Sequence, residues 1–209
     1  MAEIRPYRPD DLDALYDICL KTGDSGADAP HLYRDPRLIG HIYAGPYGVL
    51  EPQSAFVVED DEGVGGYIVG AVDTAAFAGR AQAQWWPDLQ QRYREPKGVP
   101  SADWNADRLR TWQIHHPYFA PRRIIADYPS HLHINLLPRL QGQDLGRRLI
   151  DLWLSTMRVA GSPGAHLGVS DANQRGLRFY RIYGWRELEH PGAGHWFGYD
   201  LRTPPPSPS

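Results

Sequence analysis

The stretch from Ser130 to Leu149 limits the fold more than any other part of the chain. Ser130 to Leu137 reads as a strand, and its alternation places His131, His133 and Asn135 on one face. Pro138 ends the strand, and a turn containing Gly142 and Gly146 follows. Leu145, Leu149, Leu152, Trp153, Met157 and Ala160 then recur at helical spacing until Gly161. Strand, glycine-bearing turn and amphipathic helix follow without a gap. The first amides of such a helix have no internal acceptor, so they face outward as donors. Together with the helix dipole they form an anion site suited to pyrophosphate, which a side chain in place of glycine would hold off. Arg147 and Arg148 add positive charge beside the turn.

The flanking segments place this unit within a sheet. Ala2 to Tyr7 is strand-like, and Asp10-Asp11-Leu12-Asp13 opens a helix carrying Leu12, Leu15, Tyr16, Cys19 and Leu20. Asp35 to Ala44 is expected as a second helix. Ala55 to Glu59 and Gly65 to Ala75 form a predicted hairpin about Asp60–Gly63. A segment rich in tryptophan and proline runs from Phe77 to Tyr128, with short helices expected at Trp85–Tyr93 and Trp104–Trp112. Its aromatic content argues against disorder, its tryptophans and tyrosines are expected to form a small core of its own, and a connection this long is expected to serve function. Downstream, Ala165 to Ser170 is a strand, Asn173 to Tyr183 a helix, and Trp196 to Leu201 a closing strand. This order gives a mixed α/β or α+β sheet. One domain over 1–202 is expected, with an insertion at about 77–128 and a flexible Pro/Ser tail over 203–209.

Composition narrows the class. A chain of 209 residues, 42% hydrophobic, buries a core without staples. Cys19 is the only cysteine, which favours a reducing compartment, and its helical setting reads as a small buried hydrophobe. The first residues lack a signal-peptide layout, and no apolar run approaches the roughly 20 residues of a membrane span. A cytoplasmic protein follows as the expectation. A net charge of −3 without a basic cluster argues against nucleic-acid binding.

Two motifs carry a family resemblance. Gln141, Asp144 and Gly146, after the lead-in Leu136-Leu137-Pro138, fall on the central motif of the GNAT superfamily of acetyltransferases: Arg or Gln, two residues, Gly, one residue, then Gly or Ala. Asp144 replaces the first glycine. Further on, Asn173, Phe179, Tyr180, Gly184 and Trp185 fit the family's Asn-x-x-Ala-x-x-Phe-Tyr-x-x-x-Gly-Phe signature, with Gly176 in place of its alanine. The resemblance implies a GNAT fold, a mostly antiparallel sheet flanked by helices and splayed between its fourth and fifth strands. It also implies acetyl-CoA as co-substrate, bound through Leu136, Leu137, Gln141, Gly142, Gln143, Asp144, Leu145, Gly146, Arg147, Asn173, Phe179, Tyr180 and Tyr183. A finer resemblance, on Ala160–Ala165, the Phe179-Tyr180 helix and the strand His131–Asn135, is to the acetyltransferase-like C-terminal domain of O-GlcNAcase. The retained Gln141, Gly142, Gly146 and Asn173 favour a bacterial-type homologue that still binds acetyl-CoA.

The implied chemistry is direct acetyl transfer to an amine, either a protein lysine or a small molecule. A backbone N–H near Leu136 or Leu137 would polarise the thioester, and Tyr180 would protonate the departing thiolate. The base is open among His133, Asp127 and Asp171, with Asn135 on the same face able to orient substrate but not to titrate. Asp171 reads more simply as a helix cap. The alternative is a catalytically silent GNAT-fold module that binds CoA or a protein partner, and Asp144 is its best support. Two rival readings are weaker: a nucleophile loop at Gly23-Asp24-Ser25-Gly26 and a metal site from His115, His116, His131 and His133. No metal is expected, and a monomer or a homodimer fits equally.

Overall fold

The computed structural model describes residues 2–202 except Ser25 and Ala27; the expected tail and the Ser25 of the nucleophile-loop reading lie outside the described residues. Seven strands form one sheet: β1 (Glu3–Pro6), β2 (Phe56–Asp60), β3 (Gly63–Ala71), β4 (Ser130–Leu136), β5 (Gly164–Ser170), β6 (Arg186–Glu189) and β7 (Gly194–Asp200). They run in the order β1-β2-β3-β4-β5-β7-β6. Every neighbouring pair is antiparallel except β4 with β5, which is parallel.

Nine helices among the described residues cover the two faces: α1 (Leu12–Lys21), α2 (Gly40–Tyr43), α3 (Gly45–Leu50), α4 (Thr74–Gln84), α5 (Trp86–Arg92), α6 (Ala106–His115), α7 (Arg122–Asp127), α8 (Leu145–Val159) and α9 (Gln174–Tyr183). Alternation along the central strands feeds two cores. Val57, Tyr67, Val69 and Ala71 pack with α1 to α6, whereas Val58, Ile68 and Leu132 pack with α8 and α9. None of these helices is long and apolar enough to cross a membrane.

Four details depart from the sequence reading. The run expected as strand through Ala75 stops at Ala71, because Asp73 caps a new helix by accepting the Ala76 N–H at 2.9 Å. Of the helix expected over Asp35–Ala44 only the single turn α2 forms; the chain breaks at Ala44, and α3 starts at Gly45 with Pro46 in its first turn. Helix α7 and strand β6 were absent from that reading; β6 reads Arg-Glu-Leu-Glu and offers no apolar alternation. The 77–128 segment has no separate core, since Phe77, Trp86 and Ile114 share one cluster with Leu15, Tyr47 and Tyr67. Cys19 is buried in that cluster, and burial pushes its thiol up to about 11, as befits a packing residue.

Candidate active site

The sheet opens at its centre. β4 and β5 pair only at Ser130 with Ala165 and His131 with His166, although each strand has seven residues. On its other edge β4 stays paired to β3 as far as Leu136 opposite Gly66, and the Leu137 N–H donates to the Gly65 carbonyl at 2.8 Å. In an antiparallel ladder successive residues point their amides to opposite sides. Leu137, Asn135 and His133 therefore turn theirs to β3, and Ile134 and Leu136 turn theirs into the gap. Of the two amides named from sequence as carbonyl donors, Leu137 is already committed and Leu136 is left facing the gap. The Leu136 carbonyl accepts from Gln141 Nε2 at 2.7 Å, and the Gln141 side-chain oxygen accepts from Arg175 of α9.

A cavity of about 410 Å³ occupies the outer part of this gap. Nine of the thirteen residues named for the co-substrate line it. Leu136, Gln141, Gly142, Asp144, Gly146 and Arg147 come from the β4–α8 unit, and Asn173, Phe179 and Tyr180 from α9 and its cap. The other four point elsewhere. The Gln143 side chain donates to the Arg139 carbonyl at 2.7 Å, and the Tyr183 hydroxyl meets Asp151. Leu145 is buried in the α8 core, and Leu137 packs against the other cluster. Arg175, which sequence reasoning did not single out, joins the lining.

Asp144 holds a left-handed backbone, φ 61°, the one positive value at a non-glycine among the described residues. This is where the family motif has glycine, and aspartate tolerates the region better than most residues. Its carboxylate does not cap α8; it is exposed and lies 3.8 Å from Arg147 Nε. A Cβ added at Gly142 would meet nothing within 4 Å, and one at Gly146 would stop 3.6 Å from Leu136, so the floor of the turn is open to a ligand. Gly176 has a local cause. A Cβ there would lie 2.8 Å from the amide of Asn173, whose oxygen caps α9 by accepting the Gly176 N–H at 2.8 Å.

Tyr180 is buried, with its ring against Phe179, Trp185 and Phe197. It lines both the outer cavity and a second one of about 380 Å³ deeper in the gap. Its hydroxyl has no hydrogen-bond partner among the described residues, and burial raises its pKa well above the tyrosine norm, so it stays protonated.

The expected shared face of His131, His133 and Asn135 is present. Asn135 donates to the Tyr67 hydroxyl at 2.7 Å, while Tyr47 reaches Nε2 of His131 at 2.9 Å and Nε2 of His133 at 3.1 Å. Proton positions follow from donor supply. The Thr74 hydroxyl donates to the Pro129 carbonyl at 2.7 Å, so it accepts from His131 Nδ1, also at 2.7 Å. His131 Nε2 then accepts from Tyr47, and Tyr47 accepts from His133 Nε2, leaving His133 Nδ1 as a free lone pair. Burial lowers His133 to about 4 and His131 well below 6.5, so both rings are neutral at pH 7. His133 lines the second cavity and a third of about 620 Å³, which the segment 77–128 helps to wall. Tyr47 lies 84 residues from His131, a separation that local pattern does not reach.

The remaining candidates are placed apart from the cavities. Asp127 is exposed, and Asp171 meets His190 at 3.0 Å and His195 at 3.1 Å. The four histidines of the metal reading diverge, because His115 bonds the Tyr93 carbonyl and His116 bonds Glu95. A different trio, Asp171, His190 and His195, brings potential ligand atoms within 4.8 Å of one another, and the sequence reading missed it.

The protein known as SsHAT, solved by crystallography, superposes with a TM-score of 0.86 at 36% identity, covering 96% of this chain and 98% of that one. The chain belongs to the GNAT superfamily of acetyltransferases. GNAT membership accounts for the splayed β4–β5 pair and for the glycine turn before α8. Protein O-GlcNAcase of Rattus norvegicus is 29% identical over 185 residues, 88% of this chain; the chain spans about a fifth of that relative's length. The GNAT fold is shared as well with the PaiA N-acetyltransferase of Thermoplasma acidophilum, solved with coenzyme A, at 14% identity and a TM-score of 0.57 over 96% of this chain and 99% of that one. No family model matches the chain.

Proposed function

We propose that this chain is an N-acetyltransferase that passes the acetyl group of acetyl-CoA directly to an amine. The observation that carries the reading is the unpartnered Tyr180 hydroxyl, set where the outer and middle cavities meet at the β4–β5 gap. Acetyl-CoA supplies an activated thioester whose carbonyl accepts the amine. The groups around the 410 Å³ cavity suit it: the first amides of α8 (Leu145 to Arg147) for pyrophosphate, with Arg147 and Arg175 as added cations. The Ile134 and Leu136 amides face the gap, where the pantetheine arm and the thioester oxygen require donors.

As the amine nitrogen bonds the acetyl carbon, the carbon–sulfur bond breaks and sulfur takes the Tyr180 proton. The amine proton passes to the His133 Nδ1 lone pair, directly or through water. His133 is the one titratable candidate among those named from sequence that lines the inner cavities. The pyrophosphate side of this reading is tested by thermal denaturation with acetyl-CoA. A ligand that binds only the folded state raises the melting temperature, and no shift at 1 mM would overturn the reading.

Asp144 favours a second reading, a module that binds CoA weakly without turnover, because its carboxylate adds negative charge beside the anion site. A melting shift without acetyl transfer to any of a broad amine panel would select it.

A further inference from the structure

Helix α6 carries a cation to the wall of the inner cavities. Arg110 is half-buried, and three of its five N–H donors are used: Nε toward the Tyr33 hydroxyl at 3.4 Å, and Nη1 to the Tyr43 hydroxyl at 3.0 Å and Gln113 Oε1 at 2.8 Å. Nη2 has no acceptor among the described residues. No carboxylate meets this guanidinium either. Asp107, one turn earlier on α6, accepts the Arg34 N–H at 3.1 Å, and Asp35 is held by Tyr93 and Arg92. Asp24, the one acid lining the middle cavity, is exposed and makes no ion pair among the described residues. Arginine does not shed its proton, so this half-buried charge persists without a counter-ion among the described residues. Taking a charge from water without a counter-ion is unfavourable, and a bound anion would offset that cost.

Arg110 lines both the 380 Å³ and the 620 Å³ cavities and is the only lysine or arginine in either lining. Of the histidines that share those walls, His131, His133 and His166 are held neutral by burial, and His195 is engaged by Asp171 and Glu187. Arg110 is thus the one arginine or lysine of the inner walls, it has no carboxylate partner among the described residues, and a single positive charge matches one carboxylate better than a doubly charged phosphate. Position adds to this. Tyr43 touches Arg110 with its hydroxyl, and its ring lies 5.4 Å from the His133 ring, so the anion anchor and the proton acceptor flank one aromatic side chain.

On the acetyl-transfer reading above, we infer that Arg110 anchors a carboxylate of the acceptor, which is a small amine bearing its own carboxylate, of the amino-acid class. The guanidinium and the Tyr33 hydroxyl bind the carboxylate, and the amine a few bonds away faces His133 and the β4–β5 gap.

The test compares acetyl transfer from acetyl-CoA to the twenty amino acids and to their carboxamides, using wild type, Arg110→Gln and Arg110→Lys. A charge-assisted bond of this kind is worth roughly 10- to 100-fold. Wild type should prefer the best amino acid over its carboxamide by that factor in kcat/KM. Arg110→Gln should lose the preference through a raised KM, and Arg110→Lys should keep part of it. The acetyl-CoA melting shift should persist in Arg110→Gln, since Arg110 lies outside the 410 Å³ cavity, which shows that the variant is folded. Equal use of carboxamides, an unchanged preference in Arg110→Gln, or a preference for phosphoethanolamine overturns the inference. If no amine is acetylated, ligand-observed NMR of the same amino acids decides. Binding that Arg110→Gln abolishes keeps the anchor while the acetyl-transfer reading fails, and absence of binding sinks the anchor.

Discussion

His131 of β4 stands beside His166 of β5 with ring centroids 5.6 Å apart, and theirs is the last pair the two strands make. Beyond it β4 pairs with another strand on one edge only. The three cavities follow that separation, from the α8 turn inward to the helices of the 77–128 segment, so the chemistry assigned to each wall is open to separate tests.

Tyr180→Phe keeps the packing against Phe179, Trp185 and Phe197 and removes only the hydroxyl. Turnover is expected to fall by roughly 10²- to 10⁴-fold, with acetyl-CoA affinity nearly unchanged. Steady-state kinetics and calorimetric titration on the same preparation check both halves. Unchanged turnover would mean that water or another group protonates the thiolate.

Asp144→Gly removes a carboxylate beside the proposed pyrophosphate site and relieves a left-handed backbone that costs a non-glycine residue about 1 kcal/mol. Lost helix-dipole attraction and glycine's greater freedom when unfolded offset that relief, so stability should stay within about 1 kcal/mol of wild type. Affinity for acetyl-CoA should rise several-fold, as read by calorimetry. Asp144→Ala removes the same charge without relieving the backbone, so it should match the affinity gain and lose stability. Equal affinity in all three proteins would refute a repulsive role.

Gly146 separates fold from cavity. A Cβ there reaches only ordinary contact, 3.6 Å from Leu136 and 3.7 Å from Phe179. Gly146→Ala should therefore fold and gain up to about 1 kcal/mol of helix stability. Gly146→Val should also fold but project into the cavity, and the acetyl-CoA melting shift should disappear. A full shift in the valine variant would move the binding site elsewhere.

Acid should destabilise the protein early. Burial lowers His41 and His133 to about 4, His131 well below 6.5, and His166 as well. The unfolded chain takes up these protons near pH 6.5 while the folded chain does not. The contribution is thus complete above pH 6.5 and is lost as pH falls toward 4. Each histidine held neutral adds a slope of about 1.4 kcal/mol per pH unit in that window. Urea midpoints at pH 7, 6 and 5 should decline stepwise, and a flat series would show that these rings protonate without unfolding.

Local chemistry made the β4–turn–α8 unit and α9 legible in the sequence. Proline ends a strand, glycine permits a turn, and apolar residues at helical spacing need a sheet to cover. Alternation along β4 likewise puts His131, His133 and Asn135 on one face. The same rules misread Asp73, whose side chain starts a helix where the β-pattern seemed to continue, and they gave no sign of β6 at a polar sheet edge.

Tertiary structure decided what those residues can do. It fixed the proton order from Thr74 through His131 and Tyr47 to His133, committed the Leu137 amide to Gly65, and, among the described residues, left the Tyr180 hydroxyl unpartnered and Arg110 without a counter-ion. Sequence determines which backbone each segment prefers, because propensity and periodicity act within a few residues. Partners such as Tyr47 and His131, 84 residues apart, are set only when the sheet closes, because burial and donor supply belong to the packed interior and not to the chain.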